Sequence, residues 1–215
     1  MHLHVLDNAL WFPAAEQALD DGLLAIGGDL RPDRLVLAYR QGIFPWFDDE
    51  LPMWWCPDPR FVLYPNELYI SKSMMQVIKK GTFRFTVNKA FNDVIRYCKQ
   101  TARAGQDGTW ITDAVEQAYI QMHQLGYAHS AEAWQDGKLV GGLYGIRMGG
   151  VFFGESMYSH VSNASKYAFI QYVQQLQSEG VQLIDCQVYT EHLESLGARM
   201  IARDEFLGML RELIP

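Results

Sequence analysis

Leu183-Ile184-Asp185-Cys186-Gln187 is a short strand with chemistry on one face. Strand side chains alternate, so Asp185 and Gln187 share a face with Leu183, while Ile184 and Cys186 point the other way. A carboxylate and an amide in a core-like strand are costly unless they are hydrogen-bonded or functional. The strand runs into a helix start, Thr190-Glu191-His192-Leu193. Polar groups at the carboxyl end of a strand are where α/β sheets tend to place their chemistry.

Outward from this strand the pattern is regular. Upstream, 163–178 reads as a long helix. Before it come three strands, Ala128–Trp134, Lys138–Arg147 and Val151–Ser159, joined at Gln135-Asp-Gly137 and Met148-Gly-Gly150. Thr112 caps a helix that stops at Gly126. Lys89–Thr101 is a helix with Phe91, Val94, Ile95 and Cys98 on one face, and Phe83–Val87 is a strand. Downstream lie a short helix at Glu191–Leu196, a strand at Arg199–Ala202 and a helix at Glu205–Leu213. Residues 1–62 read as a small, loop-rich N-terminal domain rich in Trp and Pro, with a short helix at Pro32–Arg40; residues 63–215 read as a second, larger domain that holds the Asp185 strand.

The order β-α-α-β-β-β-α-β-α-β resembles the GCN5-like N-acyltransferase fold, a mixed αβ (α+β) class, whose fourth and fifth strands splay into a substrate cleft. Acetyl-CoA-using members carry a glycine-rich loop after the fourth strand that presents N–H groups to pyrophosphate. Here that stretch is Ser159-His-Val-Ser-Asn-Ala-Ser-Lys166, without glycine. A CoA-dependent N-acetyltransferase is therefore the alternative rather than the main reading, and the acyl group is expected on another carrier. A tRNA-binding module without catalysis is a further alternative.

The 215 residues are 49% hydrophobic and 20% charged, an ordinary globular balance. No apolar run reaches membrane-helix length and no secretory signal opens the chain, so no membrane partner is expected. Three widely spaced cysteines suggest a reducing, cytoplasmic setting. No His or Cys pair has metal-ligand spacing, so no metal is expected. The net charge is −7, yet Arg60 to Arg103 holds nine Lys or Arg against two acids, and the remainder carries −14. The plain reading is a solvated basic face; the functional one is a phosphate-binding surface.

Several ordered blocks then converge: Gly22-Leu-Leu-Ala-Ile-Gly-Gly-Asp-Leu30, Gly42-Ile-Phe-Pro-Trp46, Trp54-Trp55 with Pro57-Asp-Pro-Arg60, Gly108-Thr-Trp-Ile111, His129-Ser130, Leu139 to Gly145, Gly154-Glu-Ser-Met157, Ala164-Ser-Lys166, Leu183 to Gln187 and Ser195-Leu-Gly-Ala198. Together they closely resemble the bacterial leucyl/phenylalanyl-tRNA–protein transferases. Cys56 stands where the family usually has Ser, and Tyr158-Ser-His160 replaces a usual Phe-Ser-Arg.

The resemblance implies transfer of Leu or Phe, and Met less well, from aminoacyl-tRNA to proteins beginning with Arg or Lys, without a cofactor and by a monomer. It places the catalytic pair on Asp185 and Gln187. Trp46 and Trp110 match adenosine-contacting positions, and Leu143, Phe152, Tyr172, Leu176 and Ile184 match the aminoacyl pocket. Glu155 and Ser156 are candidates for the acceptor peptide, Glu155 either drawing its cation or bracing Gln187. Arg60, Lys72, Lys79, Lys80 and Arg84 would hold the tRNA backbone.

Overall fold

The computed structural model describes residues 3–47, 51–101 and 110–215. Arg103 of the basic segment and Gly108-Thr109 of the Gly108–Ile111 block lie outside the described residues. The first part of the chain comprises β1 (His4–Leu6), β2 (Leu23–Gly27), helix α1 (Pro32–Arg40), β3 (Phe44–Pro45) and β4 (Met53–Trp55). Its strands form a small sheet in the order β1-β2-β4-β3. Phe12 and Trp54 pack edge to face beneath it, and the Trp54 indole donates to the Gly27 carbonyl at 2.9 Å. These strands are too short to show a period, and the proline-rich sequence hides them.

The rest runs β5 (Arg60–Leu63), α2 (Lys72–Lys80), β6 (Arg84–Val87), α3 (Phe91–Gln100), α4 (Asp113–Gln124), β7 (Ala128–Gln135), β8 (Lys138–Met148), β9 (Val151–Ser159), α5 (Ala164–Ser178), β10 (Leu183–Gln187), α6 (Glu191–Glu194), β11 (Arg199–Ile201) and α7 (Arg203–Leu213). From β6 to β11 the elements appear in the anticipated order. The predicted ends shift by up to two residues, as helix and strand ends do. Thr112 caps α4 as expected, its Oγ1 accepting from the Val115 amide at 3.3 Å. The Asp136-Gly137 turn between β7 and β8 has both residues at positive φ, as a tight hairpin requires.

Beyond the first sheet, two further elements, α2 and β5, have no counterpart in the sequence pattern. Helix α2 starts at a Ser71 cap, whose side chain accepts from Met74, and ends at Gly81 in the left-handed conformation. Strand β5 joins the large sheet, whose order is β11-β5-β10-β9-β8-β7-β6. The expected division between residues 62 and 63 therefore falls inside a strand of that sheet.

One face of the large sheet packs against α3, α4, α7 and the N-terminal elements, through residues such as Tyr39, Phe44, Val94, Val115, Phe153 and Phe206. The other face packs against α2, α5 and α6, through Met74, Phe152, Phe169, Tyr172, Ile184 and Leu193. Helix α5 lies close on β8 because Gly141 leaves room: a Cβ there would stand 2.6 Å from that of Ala164.

Candidate active site

Strands β9 and β10 run parallel, pairing from Leu183 with Val151 to Asp185 with Phe153. Beyond that point they part, and a cavity of about 800 Å³ opens between them. That volume lies in the range of small-molecule sites. Its walls include Trp46 just after β3, Trp110 just before α4, Leu143 on β8, Glu155 and Ser156 on β9, and Ile184, Asp185 and Gln187 on β10.

Two bulges shape the opening. On β9, Tyr144 of β8 faces Ser156 while Gly145 faces Gly154, so Glu155 is the extra residue. On β10, Asp185 faces Val62 of β5 while Gln187 faces Phe61, so the register slips at Cys186. Bulges redirect side chains and are common beside active sites. Gln187 also adopts a left-handed backbone, φ 64°. For a non-glycine residue this costs on the order of 1–3 kcal/mol and persists where the surroundings enforce it. Here the Gln187 amide donates to Asp185 Oδ1 at 2.9 Å.

Asp185 is fully buried and faces Arg60, which is buried as well. Arg60 Nε donates to Oδ1 at 2.8 Å and Nη2 to Oδ2 at 2.7 Å, a two-pronged pairing. The guanidinium lies between the rings of Phe44 and Phe206, 4.7 and 4.6 Å from their centroids. Burial works against its charge, but the Asp185 carboxylate outweighs this and holds Arg60 above its ordinary value. Arg60 is thus removed from the set expected to touch tRNA. It opens β5, one strand in from the edge of the sheet, with its charge matched inside the protein.

Gln187 Nε2 donates to Glu155 Oε1 at 3.0 Å. This commits the amide nitrogen inward and leaves the amide oxygen for an incoming N–H. Glu155 is also held by the hydroxyls of Tyr39, at 2.8 Å, and Tyr119, at 3.0 Å. Nothing in the sequence pattern marks either tyrosine as a site residue. They lie 116 and 36 positions from Glu155, and each reads as an ordinary core residue of its helix.

Of the five residues expected in the aminoacyl pocket, Leu143 and Ile184 line the cavity. Phe152, Tyr172 and Leu176 do not. They stand behind its wall in the core, Phe152 meeting Tyr172 edge to face at 5.1 Å. Met157, Phe169 and Leu193, outside that set of five, add apolar lining to the cavity. Trp46 is 36% exposed and tilts against Trp55; Trp110 is nearly buried, edge-on to Tyr119. Lys72, Lys79, Lys80 and Arg84 are exposed on α2 and β6 and make no ion pair among the described residues. Lys99 is paired to Asp113 and Glu116, and Arg96 pairs with Asp93 at the surface.

The seven-stranded sheet, with β9 and β10 parting over the cleft and a glycine-free stretch before α5, is the arrangement expected from the order of elements in the sequence. Family models agree and are more specific. The leucyl/phenylalanyl-tRNA protein transferase model matches residues 62–211, and that family's N-terminal domain model matches residues 28–58. The chain belongs to this family and is an aminoacyltransferase. It is 54% identical over 210 residues to the leucyl/phenylalanyl-tRNA–protein transferase of Flavobacterium johnsoniae, covering 97% of this chain and 99% of that one. It is 53% identical to the Pseudomonas fluorescens protein of the same name, over 94% of this chain and 91% of that one. Among solved structures it is similar to L-PGS from Bacillus licheniformis, with TM-score 0.44, 14% identity and 80% and 57% of the two chains covered. A GCN5-related N-acetyltransferase from Kribbella flavida gives TM-score 0.40, 13% identity and 83% and 64% coverage. No helix among the described residues is long and apolar enough to cross a membrane.

Proposed function

We propose that the enzyme takes Leu or Phe, and Met less well, from aminoacyl-tRNA and joins it to the α-amine of proteins beginning with Arg or Lys. The product would carry an N-terminal residue of the N-end rule type. The observation that carries this reading is the orientation of Gln187. With its nitrogen given to Glu155, its oxygen can accept an N–H of the attacking amine and aim the lone pair at the ester carbon.

The donor ester is already activated, so the protein need supply no covalent nucleophile. It must position the amine and steady the charge that develops. Trp46 and Trp110 offer ring faces and edges to the terminal adenosine, whose stacking on an aromatic is worth ~1–3 kcal/mol. Leu143 and Ile184 line the space for the donor side chain, and Ser156 stands beside the acceptor. The exposed cations of α2 and β6 would follow the acceptor stem by its phosphates. An Arg-starting peptide incubated with Phe-tRNA tests the reading by mass spectrometry. A mass increase of one phenylalanine supports it. No increase, or modification with acetyl-CoA instead, overturns it.

A further inference from the structure

Glu155 and its two tyrosines form a ring of oxygens that the tyrosine protons alone cannot fill. Oε1 lies 2.8 Å from the Tyr39 hydroxyl and Oε2 3.0 Å from the Tyr119 hydroxyl. The two hydroxyls also touch each other. Three oxygen-to-oxygen approaches thus close a ring, and each calls for one hydrogen between its oxygens. Each tyrosine brings one. With Glu155 ionised the ring is one proton short. A proton on Glu155 completes it, each group then donating once and accepting once.

The other carboxylate of the cleft is differently placed. Both oxygens of Asp185 are taken by Arg60, and Oδ1 also accepts the backbone N–H of Gln187. A proton arriving there would have to displace a buried guanidinium.

We propose that Glu155, not Asp185, takes the proton that the attacking amine must lose, and that the ring with Tyr39 and Tyr119 stabilises it there. This role rests on the aminoacyl-transfer reading above. The acceptor arrives as an ammonium. One of its protons goes to Glu155 and from there to solvent, so the carboxylate is restored. The freed lone pair bonds to the ester carbon, the bond from that carbon to the ribose oxygen breaks, and a second proton passes from the nitrogen to the departing ribose oxygen.

The surroundings suit the task. Tyr39 faces Glu155 from α1, Tyr119 from α4 with Tyr144 of β8 beside it, and Asp185 from β10 with its charge matched by Arg60 of β5. Burial, helped by the Asp185 charge, pushes the Glu155 carboxyl up to about 7, against the opposing hydrogen bonds of Tyr39, Tyr119 and Gln187. A general base works best when its pKa lies near the working pH.

Two measurements test this. In single-turnover transfer from Phe-tRNA to an Arg-starting peptide, Glu155→Gln should lose about 100-fold or more at neutral pH. It should also lack a rise near pH 7 that the wild type shows, the acceptor amine titrating alike in both. In wild-type protein carrying 13Cδ-labelled glutamate, without tRNA, one carboxyl signal should titrate at about 7. That signal should be missing from Glu155→Gln, and its presence in the wild type does not depend on the variant folding. Transfer by the variant within about threefold of wild type at every pH between roughly 6 and 9 would overturn the proposal, as general bases contribute far more than that. So would a set of glutamates that all titrate in the ordinary carboxylate range. A wild type that modifies no peptide would overturn the transfer reading itself, while the glutamate titration would still report the ring.

Discussion

Arg60 and Asp185 meet fork to fork across the neighbouring strands β5 and β10, with no surface exposed on either side chain. Removing one partner of such a pair leaves a buried charge unmatched, which typically costs about 3–5 kcal/mol. Arg60→Met should therefore unfold in markedly less urea than wild type. Arg60→Met combined with Asp185→Leu should regain much of that loss yet remain inactive, because Gln187 would lose the carboxylate that holds its backbone. A double variant as unstable as Arg60→Met alone would show that the pairing is not what the single variant breaks.

Glu155 makes stability depend on pH. Its carboxyl is raised from 4.5 to about 7 by burial, so the folded state prefers the neutral form. The stabilisation is full below the ordinary value and is lost as pH rises through about 7. Glu155→Gln has no such loss, so its stability should gain on wild type between about pH 5 and 8, by on the order of 3 kcal/mol at most, and its melting temperature should rise accordingly. Thermal scans at several pH values read this directly, and a gap independent of pH would contradict it.

Leu143 lines the cavity from β8, two strands away from Ile184. Leu143→Ala should deepen the apolar space and favour bulkier donor side chains. A methylene in such a pocket is worth about 1–3 kcal/mol, so the relative use of Phe over Leu should shift roughly tenfold or more. Competition between the two charged tRNAs measures it, and an unchanged ratio would remove Leu143 from the donor pocket.

Lys79 and Lys80 close α2, and Arg84 begins β6 a turn later. If these cations hold phosphates, tRNA affinity should fall steeply with salt. Lys79→Glu with Lys80→Glu should flatten the slope of log K against log salt by about 0.7–0.9 for each phosphate no longer neutralised. Filter binding at several salt concentrations would show this. Equal slopes in variant and wild type would leave the patch a solvated face.

Much of this architecture could be read from the chain. The strands β7 to β9 show their turns, α3 its apolar face and α4 its cap, because these signals lie within a dozen residues of one another. The site was legible only in part. Asp185 and Gln187 stand out because polar residues in a buried strand need a reason. Arg60 did not, since its partner lies 125 positions away and a lone arginine at the head of a basic run looks like surface. The bulges at Glu155 and Cys186 were hidden for a different reason: an alternating pattern says nothing of where it breaks. The resemblance places Phe152, Tyr172 and Leu176 in the pocket by position alone, and their depth behind the wall follows from how α5 settles on the sheet.

The aromatic clasp on Arg60 ties together distant parts of the molecule. One jaw, Phe44, belongs to the small first sheet, and the other, Phe206, to the final helix. Neither ring has any chemistry of its own, yet together they keep water from the cation that fixes Asp185. Remodelling the cleft for new donors can thus proceed along its rim, while trimming either flank would wet the charge at its centre.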